Sequence, residues 1–207
     1  SSTGATITTA DNTDTLQLIS TDADANAGPN LRLYRNSGSP ADDDAMGRID
    51  FDGRNDNSQD VIYGSIYNYA TDVSDGTEDG TMYIRTMLAG TLRNTISLLP
   101  EAIVFNDESQ DVDFRVESDN DANALFVQGS DGFVGLGTAS PGVMLHLKST
   151  TAHIAQKIET TVSTGNATLS LLGHSVGDSV LYFGDTDDAY VGSIFYDHTD
   201  NYLAFTV

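Results

Sequence analysis

Cysteine and tryptophan are both missing from this 207-residue chain, and basic residues are scarce, nine Lys plus Arg against 31 Asp plus Glu. Without Cys there is no disulfide framework, no thiolate metal site and no cysteine nucleophile, so the chain is indifferent to redox compartment. The formal charge of −22 repels nucleic acid and anionic lipid over the whole chain rather than at one patch; neither nucleic-acid binding nor membrane insertion is expected. No apolar run approaches the roughly 20 residues that span a bilayer. The opening SSTGATITTAD has neither the basic region nor the apolar core of a signal peptide. A soluble chain is expected. With no Met at the start and an end inside the strand-like run 202–207, it is also expected to be a piece of something longer.

What is present is strand and turn material. Apolar residues come in short β-favouring runs, separated by 19 Gly and many Asp, Asn, Ser and Thr. The acidic residues are interleaved with these runs, with no block of five like charges, which argues for a solvated surface rather than a disordered acidic tail. Period-2 alternation recurs in Ile49-Asp50-Phe51-Asp52, in Asp111-Val112-Asp113-Phe114-Arg115-Val116-Glu117 and in Leu169-Ser170-Leu171, each predicting a half-buried strand. Asp52-Gly53, Asp75-Gly76, Asp79-Gly80 and Asp131-Gly132 supply the chemistry of tight turns. A meander of short hairpins is predicted.

Residues 152–162 place Ile154, Ala155, Ile158 and Val162 at spacings that suit a helix face. An internal comparison argues for strand instead. Residues 15–35 and 154–172 align Gln17 with Gln156, Ile19 with Ile158 and Thr21 with Thr160, and the first copy reads as strand. The match resumes where Gly64-Ser65-Ile66-Tyr67 answers Gly192-Ser193-Ile194-Phe195, and residues 82–86 answer 202–206 in a register the sequence leaves open. The second copy has shorter loops, so the extra length of the first falls in the Asp-rich stretches 38–45, 54–60 and 72–80. Between the copies, IVF, DFRV, ALFV, FVGLG and MLHL are too short and Gly-interrupted for an independent sandwich. Three chains wrapped about one axis would bury a face of each.

The stretch GFVGLGTASPGVMLHL, residues 132–147, resembles the V-G-I-G-T-x-S-P-x-x-x-L-H-V signature of phage tail fibres and related trimeric virion appendages. It carries Leu136 for Ile and Leu147 for Val. Physically, Gly135 and Gly137 allow close backbone approach, Pro141 stops the strand, and Leu145 with Leu147 resumes it. LRLYRNSGSPADDDAMGRIDFDG, DVSDGTEDGTMYIRTMLAGTLRN and VGSIFYDHTDNYLAFTV are similar to marine members of the same families. The resemblance implies an elongated, trimeric virion fibre used in host attachment, whose partners are its own copies, other tail proteins and a host receptor or glycan. The self-cleaving C-terminal chaperone found on many such fibres has no counterpart here.

The expected fold is therefore all-β, an elongated intertwined homotrimer in which residues 1–100 form a first β module, 101–147 a β shaft, and 148–207 a shorter second copy. Receptor contact is expected in the longer loops of the first copy, at Asp42, Asp43, Asp44, Asp56, Asp75 and Asp79. Gly132, Gly135 and Gly137 have the wrong spacing for a dinucleotide loop. Residues 119–130 fail as an EF-hand, with Ala124 where Gly is needed and Ser130 where the closing Glu belongs. Asp42 to Asp44 and residues 72–79 read as solvated turns before they read as a loose calcium site. His146, His153, His174 and His198 lack metal-ligand spacing; an axial site with one His146 per chain is the remaining metal alternative. No metal, cofactor or catalytic residue is expected. Only five acids are Glu, and the Asp residues sit at turns, which weakens a paired-carboxylate glycosidase. With no Trp, sugar stacking would fall to Tyr63, Tyr67 and Tyr69, which alternation puts on one strand face, where packing is the simpler use. The alternatives to a tail fibre are a glycan-binding or depolymerising tailspike and a head fibre or decoration protein.

Overall fold

The computed structural model describes residues 4–149, 154, 156–161 and 163–207. All regular structure among them is β, in twelve strands without a helix. The chain divides into two compact units, Ser1–Thr150 and Thr151–Val207.

The first unit opens its regular structure with a five-stranded antiparallel meander in sequence order: β1 (Asp44–Arg54), β2 (Asp60–Asp72), β3 (Asp79–Leu88), β4 (Thr91–Leu99) and β5 (Ala102–Phe105). Consecutive hairpins make this the lowest-cost topology for alternating strands, because each loop closes locally. Two predicted turns are strand instead. Asp52 and Gly53 continue β1, opposite Ile62 and Val61, and Gly80 sits in β3 opposite Ala70. The β1–β2 turn falls later because Asn55 builds it: its Oδ1 accepts from the amides of Asn57 (3.1 Å) and Gln59 (2.9 Å), a side-chain turn that an Asp-Gly pair does not outcompete. At Asp75-Gly76 and Asp131-Gly132 the turns stand, with φ of 88° and 76° at the glycines. The IVF run, expected in the shaft, pairs with β4 as the fifth strand.

The same unit holds a four-stranded sheet of three-residue strands, β6 (Phe114–Val116), β7 (Leu125–Val127), β8 (Val134–Leu136) and β9 (Leu145–Leu147). Within the chain these runs pair with one another. β8 and β9 are parallel, joined by residues 137–144, a shorter link than the roughly dozen residues that parallel pairs usually need. Close backbone approach makes it possible. A Cβ on Gly135 would overlap the carbonyl oxygen of Thr138, and one on Gly137, at φ 76°, would overlap that of Lys148. Pro141 and Thr138 are buried at the bend. Phe126 on β7, 5% exposed, is the one buried hydrophobic among the described residues.

The second unit is a three-stranded antiparallel meander, β10 (Asp178–Phe183), β11 (Gly192–Asp197) and β12 (Tyr202–Thr206). Its registers match those of β1 to β3. Ile49 faces Ile66, which faces Ile84; Leu181 faces Ile194, which faces Phe205. Phe51 faces Gly64 as Phe183 faces Gly192. This sets Ile84 against Phe205 and hence Met82 against Leu203, the register the sequence leaves open. The link from Phe183 to Gly192 is shorter than that from Phe51 to Gly64.

Residues 15–35 and the described part of 154–172 contain no strand, so among the described residues the strands expected there, Leu169-Ser170-Leu171 included, do not form. Leu16, Leu18, Leu33, Leu169 and Leu171 are exposed. Alternation marks a segment that can pair, but a strand forms only where a ladder does, and among the described residues none of these five leucines lies in one. Of the helical pattern, Ala152, Ala155 and Val162 lie outside the described residues, and the rest is not helical.

Candidate functional site

The acidic loops are built chiefly by carboxylates bonding their own backbone. Asp72 Oδ1 accepts from the Ser74 amide at 2.7 Å, Asp131 Oδ1 from Phe133 at 2.9 Å, Asp185 Oδ1 from Asp187 at 2.8 Å and Asp197 Oδ1 from Thr199 at 2.7 Å. These hydrogen bonds favour the charged form, and the pKa values of Asp72 and Asp185 are lowered chiefly by the backbone amides they accept from. Among the described residues no group of three or more His, Asp or Glu could hold a metal ion; His153 lies outside them.

The expected contact residues divide between the two ends of the five-stranded sheet. Asp42, Asp43 and Asp44 precede or open β1, Asp75 lies on the β2–β3 connection and Asp79 opens β3, and the register places them at the same end. Asp42 ties them together, its Oδ1 accepting from the Val73 amide at 3.0 Å. Asp44 pairs with Arg35 at 2.7 Å and accepts from the Ala41 amide at 3.0 Å, and Asp43 turns the chain at φ 63°. Asp56 stands apart in the β1–β2 hairpin at the opposite end. Asp42 and Asp44 are thus loop staples as well as surface charges.

Tyr67 and Tyr69 share a face of β2 and touch, their ring centroids 4.5 Å apart, and Tyr69 meets Tyr83 edge-on at 5.9 Å. Arg85 lies 5.9 Å from the Tyr67 ring. Tyr63 instead bonds the Arg54 carbonyl at 3.4 Å. The rings pack on each other, and Arg85 belongs to the row Asp50, Ser65, Arg85, which faces across three strands.

Three arrangements carry little sequence signal. First, the connection after β5 is latched onto β4: Ser97 donates to Asp107 Oδ2 at 2.7 Å, while Glu108 accepts from Arg93 Nη1 at 2.7 Å and from the Asn94 amide at 3.0 Å. The Arg93 hydrogen bond, then that of Asn94, lowers the Glu108 pKa. Second, a cleft of about 260 Å³ opens beside the latch, walled by Met87, Leu88, Phe105, Val112 and Phe114. It is smaller than most ligand pockets, which run from roughly 300 Å³ upward. Third, Ser179 Oγ lies 2.9 Å from His198 Nε2 and accepts from the Gly173 amide at 3.0 Å. A nucleophile needs a base that a third group orients, and among the described residues no carboxylate is recorded hydrogen-bonded to His198. The pair closes a loop.

No protein-family model matches the chain, and no curated protein matches it.

Proposed function

We propose that the chain is a structural, non-enzymatic segment of a homotrimeric phage tail fibre, which spaces and presents host-attachment surfaces on the virion. One observation carries the reading. The chain exposes 16337 Å², whereas a compact monomer of 22.0 kDa exposes about 9,300 Å², and Phe126 is its one buried hydrophobic among the described residues. An isolated chain so poor in core lacks the main favourable contribution to folding. Pooled sheets from several copies supply it. The tail-fibre assignment rests further on residues 132–147, where the signature's glycines stand at close backbone approaches. In this reading the partners are two further copies, other tail proteins and a host receptor or glycan, reached through the Asp-bearing loops.

Light scattering on the purified chain tests the trimer, and a stable folded monomer overturns it. Labelling intact particles with an antibody to this chain distinguishes a tail fibre from a head fibre. Incubation with host-surface glycans tests the non-enzymatic assignment: shortening of the glycan chains would establish the tailspike alternative, whose active carboxylates would stand about 5 to 9.5 Å apart.

A further inference from the structure

The five-stranded sheet has one uncharged apolar row running straight across it. Ile49, Ile66, Ile84, Ile96 and Phe105 face one another in register through β1, β2, β3, β4 and β5. A second row beside it joins Met82, Leu98 and Ile103. Alternation sends Arg48, Asp50, Tyr67, Tyr69 and Arg85 to the other face. The apolar side is nonetheless open: Ile66 on the second strand is 36% exposed, Phe105 is 50% and Ile103 is 67% exposed. In the second unit the row Leu181, Ile194, Phe205 occupies the matching register, with Leu181 and Phe205 exposed.

We infer that these rows are the homotypic contact surface, each facing the same row of two further copies of this chain that run parallel to it. The inference deepens the proposed trimer by naming its interface and rests on that oligomeric reading, not on virion origin. Three observations select copies of the chain as the occupant. The exposed surface exceeds that of a compact monomer by about 7,000 Å², several times the roughly 800 Å² per partner of a standard interface, so the cover must be extensive. The row occurs twice at one register, and parallel copies match both rows at once, whereas an unrelated partner would have to present the pattern twice. Finally, with a charge of −22 per chain, copies can pack tightly only through a surface free of carboxylates, and each row is free of them.

The natural absence of cysteine makes the test direct. Ile84→Cys and Ile194→Cys, each introduced alone into the full chain, place one thiol in a row; Asn57→Cys places one in the exposed β1–β2 hairpin. Packed sheets lie about 10 Å apart, within reach of a bismaleimide of similar span. Covalent linkage between copies at Ile84→Cys and at Ile194→Cys, with at least tenfold less at Asn57→Cys, is the expected result. An oligomer by light scattering that links at Asn57→Cys but at neither row position overturns this interface while leaving the trimer standing. A monomer overturns both. Binding of the unmodified monomer to neutral phospholipid vesicles would assign the rows to a lipid surface and likewise overturn the inference.

Discussion

Ser97, fully buried on β4, donates its hydroxyl to Oδ2 of Asp107 at 2.7 Å. The bond fastens the connection after β5 to the sheet it has just left. Replacing Ser97 by Ala removes a hydrogen bond to a charged acceptor. Because Asp107 is exposed and regains water, the cost stays near the low end of the range, about 1 kcal/mol. Chemical denaturation of Ser97→Ala beside the parent measures it, and an unchanged midpoint contradicts the latch.

The glycines of the parallel β8–β9 link differ sharply from their neighbour Gly142. Ala at Gly135 or Gly137 drives a Cβ into backbone oxygen, and at Gly137 adds a positive φ; Gly142 has nothing within 4 Å. Gly135→Ala and Gly137→Ala should each destabilise by about 1–3 kcal/mol or more, while Gly142→Ala should leave the melting temperature within about 1 °C or raise it. Thermal unfolding of the three variants decides.

Charge should make the assembly salt-dependent. In the proposed trimer three chains would carry about −66 in total, from −22 each, and their mutual repulsion would be screened when the Debye length falls to about 4 Å in seawater-like salt. The melting temperature should rise from dilute buffer to that salt. Equal values in calorimetry would contradict a close-packed trimer.

The carboxylates that bond their own turns give a pH dependence of defined sign. Asp72, Asp185 and Glu108 have lowered pKa values in the folded chain. Their stabilisation is therefore complete above the ordinary carboxylate range and disappears as pH falls through the lowered values. Amide exchange at Ser74 and Asn94, whose N–H groups donate to Asp72 and Glu108, should accelerate relative to the intrinsic rate between about pH 5 and about pH 2. Constant protection would contradict the assignment.

The sequence by itself determined the all-β class, the alternation that makes each sheet two-faced, and the kinship of Gly64-Ser65-Ile66-Tyr67 with Gly192-Ser193-Ile194-Phe195. These are legible because strand periodicity and turn chemistry are local. It also located the close-packed glycines at 135 and 137. Only the tertiary structure decided what each strand pairs with. Asp52-Gly53 reads as a turn until Asn55 is seen organising the true one, and Leu169-Ser170-Leu171 alternates like a strand yet is not part of one. The Ser97–Asp107 and Arg93–Glu108 latches join residues at least ten positions apart, a separation no local pattern encodes. The loop aspartates were legible as turn formers, but their division between opposite sheet ends was not, because register follows from the pairing of whole strands. For the same reason the row from Ile49 to Phe105 is scattered over five segments in sequence and becomes a single surface only when five registers are set at once.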